Sequence, residues 1–350
     1  MIKITLKESE KIEKIHLEFC KKIFDKNIGN FIKACDTETS WRPFLDFIVE
    51  GKNFERLIIG KQVELVKIIE EIKDCKLSFF DKNKKTDICE NILKLFHFKS
   101  FYYGEKKKKK EKNKNNGDEE SWGAYQYVKM LGIKTCPYCN LNYLTMIPRK
   151  GKGGGLTPDL DHFFPKSKHP YLALSLYNLI PSCSNCNSRL KRSEDAAELL
   201  NPFEGGFGED FQFRTNLDDV ESIYGAAYKI KQLNGEKDKF LIKINDIHEL
   251  EKNGNESKKS FVKKVNNNKK IFKLEQQYEF HKDYVREILH KEMIYSKTRI
   301  EDLQDNFPDL FTENEVRRSL FSTYFEEKEL HKRPLSKLTK DILNEFKIVK

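Results

Sequence analysis

The sequence lacks several features that would place it in common protein classes. No apolar stretch near its first residue resembles a signal peptide, and no apolar run reaches the roughly 20 residues that span a bilayer. It contains no internal repeat and no glycine-rich phosphate loop of the kind that binds ATP. We therefore expect a cytoplasmic protein that is not bound to a membrane and does not itself hydrolyse ATP.

Acidic residues are fewer than basic ones. The chain has 55 Asp and Glu against 65 Lys and Arg, which gives a net charge of +10. A positive protein favours an acidic partner, and nucleic acid is the commonest such partner. Lysine far outnumbers arginine, which weakens this inference because lysine content also follows the composition of the source. The 26 Phe and 14 Tyr in 350 residues can fill two or three cores.

The chain divides by composition into four predicted segments. Residues 1–104 carry apolar side chains at helical intervals, for example Ile12, Ile15, Phe19 and Ile23, and predict a helical N-terminal region. Residues 105–120 are rich in lysine without apolar anchors, which predicts a linker or loop. Residues 121–200 hold the motifs described below, and residues 201–350 predict a mixed region of strands followed by helices. The predicted fold class is α+β.

Within the outer segments, a few short patterns predict individual elements. Residues 1–6 alternate like a strand, as do residues 211–214 and 227–231. Residues 122–131 predict a helix, and a helical signal continues from Lys191 to Leu200. Helical spacing returns from Lys270 onward.

Two Cys-x-x-Cys pairs, Cys136 with Cys139 and Cys183 with Cys186, bracket the most informative part of the sequence. Four thiols at this spacing predict a closed tetrahedral zinc site that holds a small fold together. A catalytic zinc would keep a coordination position open for water. We therefore expect these cysteines to act as scaffold, and the chemistry to come from the residues between them.

Asp161 and His162 offer a metal ligand and a base on consecutive residues. On a twisted or bulged strand end, both side chains can border one cleft. A carboxylate suits Mg²⁺ or Mn²⁺, and a neutral imidazole can take a proton from water. Asn178 and Asn187 add amide oxygens, one able to orient the imidazole and the other able to complete a metal site. Hydrolysis of a phosphodiester needs this combination.

The segment from Leu160 to Lys191, together with the flanking cysteines, resembles the HNH endonuclease family. The family's ββα-metal fold is a β-hairpin followed by a helix, with the catalytic metal between them. The resemblance implies that His162 is the general base, that Asp161 and Asn187 hold Mg²⁺ or Mn²⁺, and that Asn178 positions His162. A glycine-rich insertion at residues 151–155 departs from the family pattern and leaves the strand register open.

The motifs look most like HNH nucleases of bacterial anti-phage systems such as the Septu type, in which the nuclease acts with an ATPase partner. The resemblance favours DNA over RNA as the substrate. Two other functions fit the same residues: a non-catalytic zinc-dependent module that binds nucleic acid, and a ribonuclease effector that uses the same site. Lys166 and the lysine-rich segment are candidates for contact with phosphates, and as cations they equally suit a solvated surface.

Overall fold

The structure is a computed structural model, and it describes most of the chain in two compact units. The described residues are 1–35, 42–74, 85–96, 98–103, 122–148, 155–194, 196–215, 240–295, 301–302, 305–306 and 312–345. One unit, here called the helix-hairpin unit, is formed by residues 5–133 and 144–197. The other, here called the C-terminal unit, is formed by residues 1–4, 134–143 and 198–350.

The helix-hairpin unit begins with a set of helices around a shared apolar core. They are α1 (Ser9–Cys35), α2 (Arg42–Val49), α3 (Asn53–Ile59), α4 (Gln62–Asp74), α5 (Lys85–Leu95), α6 (Phe98–Tyr103) and α7 (Ala124–Leu131). The buried row of α1 runs through Ile12, His16, Cys20 and Phe24, which are four residues apart and so share one face. The predicted helix is confirmed. Of the apolar positions cited for this helix, Ile12 and Ile23 are buried while Ile15 and Phe19 are half-buried, and the inward face also includes His16.

A short hairpin follows the helices in the same unit. Strand β1 (Asp159–His162) pairs antiparallel with β2 (Leu179–Ser182), with Asp161 opposite Ile180 and His162 opposite Leu179. Two short 3₁₀ turns, Pro170–Leu172 and Leu176–Asn178, lie in the connection between the strands. A π-helix, Asn185–Lys191, comes directly after β2.

The C-terminal unit contains a second antiparallel pair, β3 (Phe211–Arg214) with β4 (Lys243–Asp246). Its helices are α8 (Leu250–Asn253), α9 (Glu256–Ile271), α10 (Leu274–Glu279), α11 (Lys282–Ile294), α12 (Glu313–Phe321) and α13 (Ser336–Glu345). Asp341 on α13 accepts from the Phe213 N–H at 2.9 Å, and Glu345 accepts from the Thr215 N–H. Carboxylates of a helix therefore satisfy backbone donors at the edge of β3 that would otherwise be left open.

The predicted α+β class is confirmed at the level of helices combined with small antiparallel sheets. Residues 1–6 form no strand; Ile2 and Ile4 are buried as the alternation suggested, and Met1 is buried as well. The helix expected from Lys191 to Leu200 is wrong, since the π-helix ends at Lys191 and turns follow. The lysine-rich residues 105–120, the strand predicted at 227–231 and residues 151–154 of the glycine-rich insertion lie outside the described residues.

The predicted domain boundaries near residues 104, 120 and 200 stay a prediction. Among the described helices, none combines the length and the apolar character that a membrane crossing requires.

Candidate active site and metal-binding cysteines

Three of the four predicted catalytic residues line one cavity of the helix-hairpin unit. Asp161 and His162 at the end of β1 and Asn187 on the π-helix share a cavity of about 360 Å³. Phe98 and Tyr102 of α6 line it as well, with Lys166, Ser167, Arg192 and Ser193. The expectation that consecutive residues border one cleft at a strand end therefore agrees with the structure. Asn178 does not line the cavity.

One ring nitrogen of His162 is hydrogen-bonded, and the other has no hydrogen-bond partner among the described residues. Its Nε2 lies 3.1 Å from the carbonyl oxygen of Ala173. A carbonyl can only accept, so Nε2 carries the proton and Nδ1 keeps its lone pair. Burial, followed by the nearby positive charge of Lys166, lowers the pKa of His162 to about 3. The imidazole is thus neutral near physiological pH, which is the form that a general base needs.

Asn178 does not orient the imidazole directly, and this corrects the role predicted for it. Its Oδ1 accepts from the Phe164 N–H at 2.6 Å, and its Nδ2 donates to the carbonyls of Phe164 at 3.2 Å and Leu172 at 2.9 Å. The fully buried amide of Asn178 therefore bonds to backbone groups. Leu172 precedes Ala173, the residue whose carbonyl receives His162. Asn178 accordingly shapes the loop that holds the base.

The same loop is fixed from its far side by helices that the sequence did not associate with the site. His16 on α1 donates from Nε2 to the Leu174 carbonyl at 2.7 Å, and the indole N–H of Trp122 donates to His16 Nδ1 at 3.1 Å. Ser175 Oγ donates to the carbonyl of Leu57 on α3 at 2.6 Å. Two successive residues of the loop, Leu174 and Ser175, are therefore anchored to two different helices, α1 and α3. Buried polar groups that are fully bonded in this way rigidify a core.

The buried His16 predicts a pH dependence of stability. Burial lowers the pKa of His16 to about 4, so the unfolded chain, in which histidine titrates near 6.5, binds a proton more readily than the folded chain. Stability is thus fully present above about pH 6.5 and is lost as the pH falls toward about 4. Relative to His16→Gln, which can still donate to Leu174, the wild type should lose about 2 kcal/mol by about pH 5.

Thermal unfolding of the wild type and His16→Gln at about pH 7 and about pH 5 would measure this difference. The other titrating groups are common to both proteins, so their contribution cancels. Parallel declines in the two melting temperatures would show that His16 titrates normally in the folded state.

Asp161 has a cationic partner that the sequence analysis missed. Lys191, the last residue of the π-helix, places Nζ 3.1 Å from Asp161 Oδ1 and 2.9 Å from the His162 carbonyl oxygen. Both side chains are buried, with exposures of 0% for Lys191 and 2% for Asp161. The lysine thus fixes the helix against the end of β1. In the sequence, Lys191 is one of many lysines, and nothing marks it as a partner of Asp161.

The donor chemistry of the cavity fits a hydrated Mg²⁺ or Mn²⁺. Asp161 supplies a carboxylate and Asn187 an amide, and oxygen ligands of these types are the ones such ions prefer. Asn187 Nδ2 is turned toward Asp159 Oδ2 at 3.4 Å. The amide oxygen of Asn187 therefore faces away from the Asp159 carboxylate, and it is the atom that could bind a cation. Asp159 is a further residue for which the sequence analysis assigned no role.

The four predicted zinc ligands come together. The Sγ atoms of Cys136, Cys139, Cys183 and Cys186 all lie within 4.8 Å of one another. Tetrahedral zinc with bonds of about 2.3 Å would space its sulfurs about 3.8 Å apart, so the cluster has nearly the size the ion requires. The cysteines could therefore hold a metal ion such as zinc.

Around Cys139 the chain forms the tight turn typical of a metal-binding knuckle. The Leu141 N–H points at Cys139 Sγ from 3.4 Å, and the Asn140 N–H donates to the Cys136 carbonyl at 2.8 Å. N–H groups aimed at a sulfur stabilise the thiolate form that binds metal. Asn140 has φ +52°, a left-handed conformation that asparagine tolerates better than most residues.

Comparison of the chain with protein-family models, with curated proteins and with solved structures found no match. The site is therefore interpreted from its own geometry. The resemblance to HNH endonucleases remains a hypothesis carried by the residues of the hairpin, the π-helix and the cysteine pairs.

Proposed function

We propose that this protein is a metal-dependent endonuclease of the HNH type that hydrolyses phosphodiester bonds. One observation carries the proposal: a neutral His162, with Nε2 committed to Ala173, shares a cavity with the oxygen donors Asp161 and Asn187. A β-hairpin followed at once by a helix supplies all three residues, in the order of the ββα-metal fold. A module that only bound nucleic acid would have no need for this base.

In the proposed reaction, His162 Nδ1 accepts a proton from a water molecule beside the scissile phosphate. The water oxygen forms a bond to phosphorus, the bond from phosphorus to the 3′-oxygen breaks, and that oxygen takes a proton from solvent. Ala173 keeps the imidazole in the reactive tautomer, since its carbonyl accepts the Nε2 proton. Lys191 keeps Asp161 in place at the cavity wall.

The cavity's oxygen donors, Asp161 and Asn187, would hold Mg²⁺ or Mn²⁺. When bound, such an ion supplies stabilisation of the negative charge on the phosphate and on the departing oxygen. The four cysteines would hold a structural zinc apart from this chemistry.

DNA is the proposed substrate, supported by the net charge of +10 and by the family resemblance. A role in anti-phage defence, with an ATPase as partner, follows from the resemblance alone. A ribonuclease that uses the same site is the second candidate, because a base and a metal acting on the phosphate do not by themselves select the sugar.

Plasmid cleavage by the purified protein tests the proposal. Nicking or linearisation is expected with Mg²⁺ or Mn²⁺ and not with EDTA, and excess Mg²⁺ should restore it after a brief EDTA treatment. Zinc content measured on the same samples would separate loss of the catalytic ion from loss of the structural one. Labelled single-stranded RNA run in parallel distinguishes the ribonuclease. Cleavage that persists in EDTA while zinc is retained would contradict a metal-dependent mechanism.

A further inference from the structure

Arg192 has a backbone conformation that arginine rarely adopts. It follows the π-helix directly, with φ +52° and ψ −122°. These angles are those of the first central residue of a type II′ turn, a position that glycine dominates because a side chain there meets the backbone. Glycine is also the usual residue where a helix ends in a positive φ. The chain therefore keeps a strained arginine where glycine would fit without strain.

The strained position is at the candidate active site. Arg192 lines the same cavity as Asp161, His162 and Asn187. Its backbone N–H donates to the Asn187 carbonyl at 2.9 Å, so the turn is tied to the residue that would hold the catalytic ion. Local strain persists where the surroundings enforce it, and such positions cluster at functional sites.

The guanidinium of Arg192 is only partly used within the protein. Its Nε donates to the Arg189 carbonyl at 3.1 Å, which directs the side chain along the end of the π-helix. None of the carboxylates that the structure describes forms an ion pair with it, and the residue is exposed. A guanidinium offers five N–H donors in a planar fork that matches two oxygens of a phosphate. The remaining donors can therefore face a ligand in the cavity.

We propose that Arg192 is a phosphate-binding residue, which grips the polynucleotide backbone beside the phosphate that is cleaved. This inference rests on the proposed function for its substrate class. In this role the left-handed turn has a purpose, because it places Arg192 at the wall of the cavity that Asp161, His162 and Asn187 also line. A purely structural alternative exists, in which the positive charge only complements the C-terminal end of the helix. The two roles differ in what Arg192→Gly does.

The test compares Arg192→Gly with the wild type in two measurements. Thermal unfolding should show a melting temperature raised by about 2 °C, because glycine relieves the strain. Binding of a short fluorescein-labelled DNA duplex, without added divalent ions and across a salt series, should weaken by about tenfold. The slope of log affinity against log salt should fall by about 0.9, which is the loss of one phosphate contact.

Two further variants serve as matched controls. Ser322→Gly relieves a second positive φ, +52°, on an exposed residue of the C-terminal unit, and should leave the salt slope unchanged. Arg192→Lys keeps the charge and should keep most of the slope while losing the fork geometry.

An unchanged slope for Arg192→Gly would overturn the proposal, and so would a lower melting temperature with unaltered binding. The outcome can be separated from that of the proposed function. If the wild type does not cleave with Mg²⁺ or Mn²⁺, but Arg192→Gly lowers the salt slope of DNA binding by about 0.9, the phosphate site stands and the endonuclease does not. If the wild type cleaves and Arg192→Gly binds and cleaves equally well, the endonuclease stands and the phosphate site does not.

Discussion

Cys136→Ser is expected to abolish metal binding by the four-cysteine cluster and to destabilise the protein by more than about 3 kcal/mol. Structural zinc sites bind with about 10–16 kcal/mol, and since the ligands are not preassembled in the unfolded chain, most of that free energy stabilises the fold. Four thiols within 4.8 Å of one another would be left with three, and a serine hydroxyl is a poor substitute for a thiolate. Zinc stoichiometry by mass spectrometry and thermal unfolding would measure both effects.

The matched control for this experiment is Cys20→Ser. Cys20 is fully buried on α1, and burial raises the pKa of its thiol, so it is an apolar core residue outside the cluster. The Cys20→Ser protein should be somewhat less stable than the wild type and should bind as much zinc. A Cys136→Ser protein with unchanged zinc content would contradict the four-cysteine site, whatever happens to its melting temperature.

His162→Ala is expected to lower the cleavage rate by about 10²–10⁴-fold or more while the fold and the zinc are kept. The side chain supplies the proposed base, and its one structural hydrogen bond, to the Ala173 carbonyl, is worth about 1–3 kcal/mol when broken in a buried place. The cost in stability is therefore small next to that of losing the metal. Cleavage under single-turnover conditions with Mg²⁺ would measure the chemical step.

His169→Ala provides the comparison, since His169 follows the same strand and its ring bonds to the Tyr171 hydroxyl at 2.8 Å. It should retain cleavage. His162→Asn, which keeps a donor for Ala173 but cannot act as a comparable base, separates loss of chemistry from loss of loop geometry. Full activity of His162→Ala, with folding intact, would remove His162 from the mechanism.

The sequence predicted those parts of the site that depend on residues close together in the chain. In the Cys-x-x-Cys pairs and the Asp-His dipeptide, the short spacing by itself predicts metal ligands and a base. The structure brings the four thiols together and places Asp161 and His162 in one cavity. These signals need no knowledge of the remaining fold.

Contacts between distant segments could not be predicted in the same way. His16 bonds to the Leu174 carbonyl across 158 positions of sequence, and nothing in an apolar helical stripe marks it as a support for the loop that holds His162. Lys191 looks like any surface lysine until the helix places it against Asp161. Asn178 was expected to contact the imidazole itself, whereas its side chain bonds to backbone groups of the loop that holds His162.

The π-helix at Asn185–Lys191 limits how the length of this segment can vary among related chains. Its wide turn is closed by the bond from the Arg192 N–H to the Asn187 carbonyl, five residues earlier, where an α-helix would bond four residues earlier. Deleting one residue between them would let the turn close with ordinary α-helical bonds and keep Lys191 on nearly the same side of the axis. Adding one residue would instead rotate Lys191 by about 100°, away from Asp161. The segment that contains the exposed Ser188 and Arg189 can therefore lose one residue but cannot gain one. In an alignment, this asymmetry would appear as a tolerated gap of one column, which a search for conserved letters does not register.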